Sequence, residues 1–173
     1  MTSSRELFDR ISREIDAIFS KKPDVIVPVI AEAASIKAAV VSADEKEKGP
    51  RRMLNFGHTA GHALEAITKY RRFRHGEAVA YGMLVAAELG VARAMMAEDD
   101  RRLLARIIMQ LGPLPPVADL SAREVLEAVR HDKKIVDGTL HYVLCTRIGE
   151  WTTVSDVTED ELGKALRKIG LRK

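Results

Sequence analysis

RRMLNFGHTAGHALE, residues 51–65, places metal-binding side chains inside an apolar run, and HGEAVA follows at residues 75–80. His58 and His62 stand four residues apart, so in a helix both imidazoles project from one face, one turn apart. Paired histidines at this spacing are one common way in which a helix presents nitrogen ligands to a divalent metal. His75 opens a second apolar helix and could face the first pair. The alternative is that all three are ordinary helical histidines satisfied by hydrogen bonds.

Glu65 continues the helical face that carries His58 and His62. Its carboxylate could be a metal ligand, a partner for an imidazole N–H, or a surface group, and the surface group is the default expectation. Glycines in the two segments would let a ligand or another backbone come close. These are Gly57, Gly61 and Gly76.

The composition indicates one compact domain spanning residues 1–173, with 46% hydrophobic residues and few aromatics. The net charge of +3, from 28 basic and 25 acidic residues, is weak evidence for nucleic acid, and we expect no nucleic-acid partner. The single cysteine, Cys145, excludes an internal disulfide and suits the cytoplasm. No signal peptide is visible, and we expect no membrane partner because we find no apolar stretch that reaches the roughly 20 residues needed to span a bilayer.

Hydrophobic periodicity predicts a mainly α-helical bundle with one small antiparallel β-hairpin. Two sequence patterns resemble capping boxes that open helices, Ser121 with Glu124 and Thr158 with Glu161. The helix at residues 76–96 is apolar nearly all round, which predicts that it is buried at the centre of the bundle. The other predicted elements are helices at residues 4–20, 23–45, 57–69 and 99–112, and hairpin strands at residues 140–144 and 151–154.

The two histidine motifs, in this order and at this distance, resemble those of the dehydroquinate synthase family. The same resemblance continues in SIKAAVV at residues 35–41 and DEKEKG at residues 44–49. It extends to DKK at residues 132–134, with VL and IG words at residues 143–144 and 148–149. Ala60 and Tyr81 depart from the usual family residues, and both differences concern packing.

The resemblance implies a dehydroquinate synthase-like C-terminal domain in an NAD- and metal-dependent lyase of the shikimate pathway. Such an enzyme converts 3-deoxy-arabino-heptulosonate 7-phosphate to 3-dehydroquinate and phosphate, with zinc or another divalent metal such as cobalt. Family chains are about twice this length and carry an N-terminal NAD-binding domain, and the full enzyme is expected to be a homodimer. This sequence has no GxGxxG phosphate cradle. We therefore expect the chain to be a C-terminal fragment or a cut domain that is inactive alone.

The resemblance assigns His58 and His75 as metal ligands, with the family's third ligand, a glutamate, absent from this sequence. It assigns His62 as a histidine that relays protons near the substrate. Spacing alone leaves open that His62 is a ligand beside His58. Because the substrate carries a carboxylate and a phosphate, its site must be rich in cations. The implied substrate contacts are Lys37, Arg51 and Asn55, with Lys37 and Asn55 also catalytic, and one of Lys133 and Lys134 at the phosphate.

Three other functions stay open from the sequence. Other sugar phosphate cyclases use the same scaffold on different substrates. Metal-dependent alcohol and glycerol dehydrogenases have a related helical metal domain with spaced histidines. The chain could also be a non-catalytic helical domain that binds a partner.

Overall fold

The computed structural model describes residues 3–131 and 141–173, together with the backbone of two short strands between them. The described residues form an α-helical bundle with two small antiparallel strand pairs. The α-helices are α1 (Arg5–Phe19), α2 (Pro23–Ala43), α3 (His58–Ile67), α4 (His75–Ala92), α5 (Glu98–Gln110), α6 (Ala122–Arg130) and α7 (Glu159–Lys168), and a 3₁₀ helix (Pro50–Asn55) lies between α2 and α3.

The predicted hairpin is present as β3 (Tyr142–Arg147) and β4 (Glu150–Val154). Its inner strand is buried from Tyr142 to Cys145 and lies against α4. A second antiparallel pair, β1 (Ile135–Val136) with β2 (Thr139–Leu140), was not predicted. Two residues per strand are too few to leave a periodic signal in the sequence.

Helix α4 lies at the centre of the bundle, in contact with α3, α5, α7 and β3. Val85, Ala86 and Leu89 have no exposed surface, which confirms the burial predicted from its apolar composition. The helix ends at Ala92, four residues earlier than predicted. Ala94 adopts a positive φ of 54°, a conformation that ends a helix, and the residues that follow fold back onto the core.

One of the two predicted capping boxes is confirmed. At α7 the Glu161 N–H donates to the Thr158 hydroxyl, and the Thr158 N–H donates to the Glu161 carboxylate. At α6 the prediction is wrong in detail, because the Ser121 hydroxyl caps the helix by accepting from the Arg123 N–H. Ser121 therefore starts the helix without the reciprocal bond that Glu124 was expected to supply.

Helix α2 is apolar but largely exposed. It packs on α1 and on the 3₁₀ helix, and the side chains of Val27 and Ile30 remain 59% exposed. Among the described residues it is the one helix long and apolar enough, by length and composition, to cross a membrane. The expectation that no stretch reaches that length is therefore wrong. Core helices of soluble proteins and signal sequences pass the same test, so the finding is weak evidence for a membrane.

Glycines bring the backbones of α3 and α4 into direct contact. Gly57 caps α3 with a φ of 79°, and a Cβ at Gly82 would lie 1.7 Å from the Gly57 carbonyl oxygen. A Cβ at Gly61 would lie 3.0 Å from the Ala78 carbonyl oxygen. The predicted close approach at Gly57 and Gly61 is thus made by another backbone, whereas Gly76 faces open space. This contact holds α3 and α4 close together, and the three histidines lie on these two helices.

Candidate metal and substrate site

His58, His62 and His75 converge at the crossing of α3 and α4. The ring centroid of His58 lies 5.3 Å from that of His62 and 5.3 Å from that of His75. The ring centroids of His62 and His75 are 5.7 Å apart. One ligand nitrogen from each ring lies within 4.8 Å of the others. The structure therefore confirms that the histidine of the second helix faces the pair on the first.

The Nδ1 nitrogens of two rings lie next to oxygen acceptors. His58 Nδ1 lies 3.2 Å from the carbonyl oxygen of Phe56, and His75 Nδ1 lies 3.3 Å and 3.4 Å from the two carboxylate oxygens of Glu65. An imidazole that donates from Nδ1 keeps its lone pair on Nε2. Both rings can therefore direct Nε2 toward the cluster.

Glu65 is a buried carboxylate, only 6% exposed. The default expectation of a surface group is thus wrong for this residue. Its helical spacing places it on the face of His58 and His62, but its burial depends on the packing around α3, which contacts both α4 and α6. The sequence therefore predicted the helical face on which Glu65 lies, but only the fold shows that its carboxylate is buried.

The donor set fits a divalent metal. Neutral imidazoles suit zinc and cobalt, and the three histidines form a group that could hold a metal ion. His58 and His62 are half-buried and His75 is exposed, so one side of the cluster stays accessible to a small molecule.

A cavity of about 390 Å³ adjoins the cluster at His58. Three of the predicted substrate residues line it, Lys37 from α2 and Arg51 and Asn55 from the 3₁₀ helix. Residues 21 positions apart in sequence, Lys37 and His58, thus share one concave surface. The cavity has the cationic and amide lining that an anionic, hydroxyl-rich ligand requires.

The loop before the 3₁₀ helix is organised around Asp44. Its carboxylate accepts from the backbone N–H groups of Lys48, Gly49 and Arg51. Desolvation acts to raise the pKa of Asp44, but these backbone hydrogen bonds together hold the pKa below its ordinary value. The carboxylate therefore stays ionised and fixes the start of the segment that carries Arg51 and Asn55.

Glu47 is a cavity residue to which the sequence analysis gave no role. The Asn55 side-chain amide donates to its carboxylate, and Glu47 lines the same cavity as Lys37 and Arg51. Its place in the DEKEKG motif was the available signal.

A second cavity, of about 690 Å³, lies on the side of His62 and His75. Tyr70 and His131 line it as well, and neither was predicted to be a site residue. The next three residues after His131 are the DKK motif. Lys133 and Lys134 lie outside the described residues, so their proposed role at the phosphate stays a prediction.

These features define a class of protein, a helical domain that joins a three-histidine cluster to a cationic cavity. The family model described as 3-dehydroquinate synthase C-terminal matches residues 1–135. The chain therefore belongs to the family of 3-dehydroquinate synthase C-terminal domains. It is 45% identical over 162 residues to the 3-dehydroquinate synthase of Solibacter usitatus, covering 94% of this chain and 45% of the relative. It is 40% identical over 166 residues to that of Koribacter versatilis, covering 95% of this chain and 44% of the relative.

Solved structures show the same fold. The 2-epi-5-epi-valiolone synthase of Streptomyces hygroscopicus, with NAD+ and Zn2+ bound, matches with a TM-score of 0.86 at 24% identity, over 97% of this chain and 47% of its own. A 2-deoxy-scyllo-inosose synthase, complexed with carbaglucose-6-phosphate, NAD+ and Co2+, matches with a TM-score of 0.73 at 24% identity, over 84% of this chain and 41% of its own. The chain thus spans about half the length of the proteins it matches.

Proposed function

We propose that this chain is the metal- and substrate-binding part of a 3-dehydroquinate synthase. The reaction would convert 3-deoxy-arabino-heptulosonate 7-phosphate to 3-dehydroquinate and phosphate. One observation carries the proposal: His58 belongs to the histidine cluster and also lines the cavity that holds Lys37, Arg51 and Asn55. A ligand seated in this cavity would reach the metal position and the cationic groups at once.

The cavity residues match the charge of the proposed substrate. Arg51 offers a planar fork of donors to a carboxylate, Lys37 offers a point charge, and Asn55 offers a neutral amide. Because Asn55 also donates to Glu47, its amide is oriented before a ligand enters. We propose that these groups orient the carboxylate end, and that Lys133 or Lys134 holds the phosphate.

We propose that His58 and His75 hold the metal and that His62 relays protons beside it. A bound divalent metal would polarise a substrate hydroxyl and make its proton easier to remove. The ring of His62 is stacked on that of His75 with an interplanar angle of 28°. Imidazole side chains are common general acids and bases, which is the role proposed for His62.

We further propose that an NAD-binding domain covers the exposed apolar face of α2. The matched relatives are about twice as long as this chain, and two of the matched structures contain NAD+. Val27 and Ile30 are exposed large apolar side chains on a helix that also carries Lys37. Covering this face would bring the hydride acceptor near the cavity. We expect the complete enzyme to be a cytoplasmic homodimer.

Phosphate release from the seven-carbon substrate, with NAD and zinc present, tests this function. The N-terminal half of the Solibacter usitatus relative would be fused ahead of this chain and compared with the 173 residues alone and with the intact relative. We expect release from the fusion and the relative, and little or none from the chain alone. A fusion that binds NAD but releases no phosphate would contradict the proposal, and His58→Ala in the fusion is the negative control.

A second candidate is a cyclase that acts on a different sugar phosphate. The structural matches to valiolone and scyllo-inosose synthases favour it, because they share the fold with this chain. Glucose 6-phosphate is the matching test substrate, since its carba analogue is bound in one of those structures. Release from glucose 6-phosphate but not from the heptulosonate would establish this alternative.

A further inference from the structure

We infer that Glu65 is the positioning residue for His75: its carboxylate holds the hydrogen on Nδ1 and turns the Nε2 lone pair toward His58 and His62. The inference rests on the proposed metal site and assigns the carboxylate that supports it. Both carboxylate oxygens of Glu65 lie within 3.4 Å of His75 Nδ1.

His75 needs such a support because its side chain is 59% exposed. An exposed imidazole on the first residue of a helix has several open rotamers and two neutral tautomers. By contrast, His58 is half-buried and has the fixed carbonyl of Phe56 beside its Nδ1. Glu65 thus provides the acceptor for Nδ1 of His75, as the Phe56 carbonyl does for Nδ1 of the half-buried His58.

Glu65 is suited to this role because its own position is fixed. Its side chain is 8% exposed and comes from α3, which packs against both α4 and α6. A buried carboxylate costs free energy unless it is paired, and the His75 N–H is the partner that lies within reach. Carboxylates that accept from the outer N–H of a metal-binding histidine raise its basicity and fix its orientation.

The geometry also separates this role from direct ligation. Glu65 lies on the Nδ1 side of His75, whereas the ligand atoms that converge within 4.8 Å belong to the three histidines. A carboxylate placed behind the ring acts on the metal through the imidazole.

The first experiment reads the tautomer of His75 in the metal-free chain at neutral pH, by long-range proton–nitrogen NMR. We expect the Nδ1–H form in the wild type. Glu65→Leu keeps similar volume but removes the acceptor, and we expect it to lose this preference. A wild-type His75 that carries its hydrogen on Nε2, or a tautomer unchanged in Glu65→Leu, would overturn the inference.

The second experiment titrates Co²⁺ into the same chains and follows its visible absorption. We expect Glu65→Leu to bind cobalt about 10–100-fold more weakly, and Glu65→Gln, which keeps an acceptor but no charge, to lie between it and the wild type. Glu88→Gln is the matched control, because Glu88 is also a largely buried, ion-paired carboxylate, bonded to Arg101 and Lys168. It should lower stability and leave cobalt affinity unchanged.

The two readouts separate the two claims. If the wild-type chain binds no cobalt, its histidines do not hold the metal without the missing glutamate ligand, and the tautomer alone decides whether Glu65 positions His75. If cobalt binds and Glu65→Leu binds it equally well, the metal role stands and the positioning role is refuted.

Discussion

Replacing Gly82 with alanine tests whether the contact between α3 and α4 holds the site together. A Cβ at this position would lie 1.7 Å from the Gly57 carbonyl oxygen and 2.6 Å from its carbonyl carbon. Real Cβ contacts essentially never fall below 3.0 Å, so the backbones must separate by about 1.3 Å. The obstructing atoms belong to the backbone, so no side-chain rotation can relieve the clash.

Overpacking of this kind costs about 1–3 kcal/mol, and a backbone obstacle places Gly82→Ala at the upper end. The alanine recovers at most about 1 kcal/mol of helix propensity. We therefore expect a net loss of about 2 kcal/mol, which lowers the midpoint of urea unfolding by roughly 1 M. Circular dichroism at increasing urea concentration measures this change.

Gly76→Ala is the matched control, since it lies in the same helix and its Cβ would meet nothing within 4 Å. We expect its stability to be unchanged or slightly raised. Gly82→Ala should also bind cobalt more weakly, because metal sites tolerate ligand displacements of only about 0.2 Å. Equal unfolding midpoints for the two variants would refute the claim that this backbone contact sets the spacing of the helices.

Three further expectations concern the histidines and the ion pair between Arg93 and Glu161. His58→Ala and His75→Ala should abolish cobalt binding, whereas His62→Ala should keep it and slow turnover in the fusion; loss of cobalt in His62→Ala would reverse the ligand assignment. The pKa of Glu161 is lowered to about 2, mainly by the side-chain hydrogen bond from Arg93. The ionised carboxylate therefore stabilises the fold above pH 4.5, and this contribution is lost as the pH falls toward 2. Arg93→Met should remove that part of the pH dependence of stability and lower the free energy of unfolding by about 1–2 kcal/mol at pH 7. Urea unfolding of both proteins at pH 7 and at about pH 2 measures this difference.

The sequence predicted the cluster because its signals are local. The four-residue spacing of His58 and His62 fixes one face of a helix, and the motif around His75 supplied the second helix. The cavity residues were named by resemblance, and the fold then brought Lys37 and Arg51 to His58. Only the shared face of His58 and His62 follows from a short-range pattern, whereas the meeting of the other residues depends on how the helices pack.

The features that were missed depend on what covers a surface. Helices α4 and α2 are both apolar in sequence, but α4 is largely buried whereas α2 is largely exposed. The burial of Glu65 likewise arises from neighbouring helices that are distant in sequence. Cys145 shows the same dependence, because burial raises the pKa of its thiol to about 11 although nothing in its local sequence indicates this.

Helix α2 carries two surfaces, an exposed apolar one near its start and the cavity-lining Lys37 farther along. Its exposed side chains, such as Val27, lie ten residues before Lys37, which lines the cavity from the same helix. Anything that packs on the first surface and shifts the helix also moves the lysine ammonium relative to the histidines. By thermodynamic reciprocity, a ligand that binds better in one position of α2 would tighten the hold of the molecule packed on it by the same factor. The affinities for the two bound molecules would then be coupled through α2, without any contact between the molecules themselves.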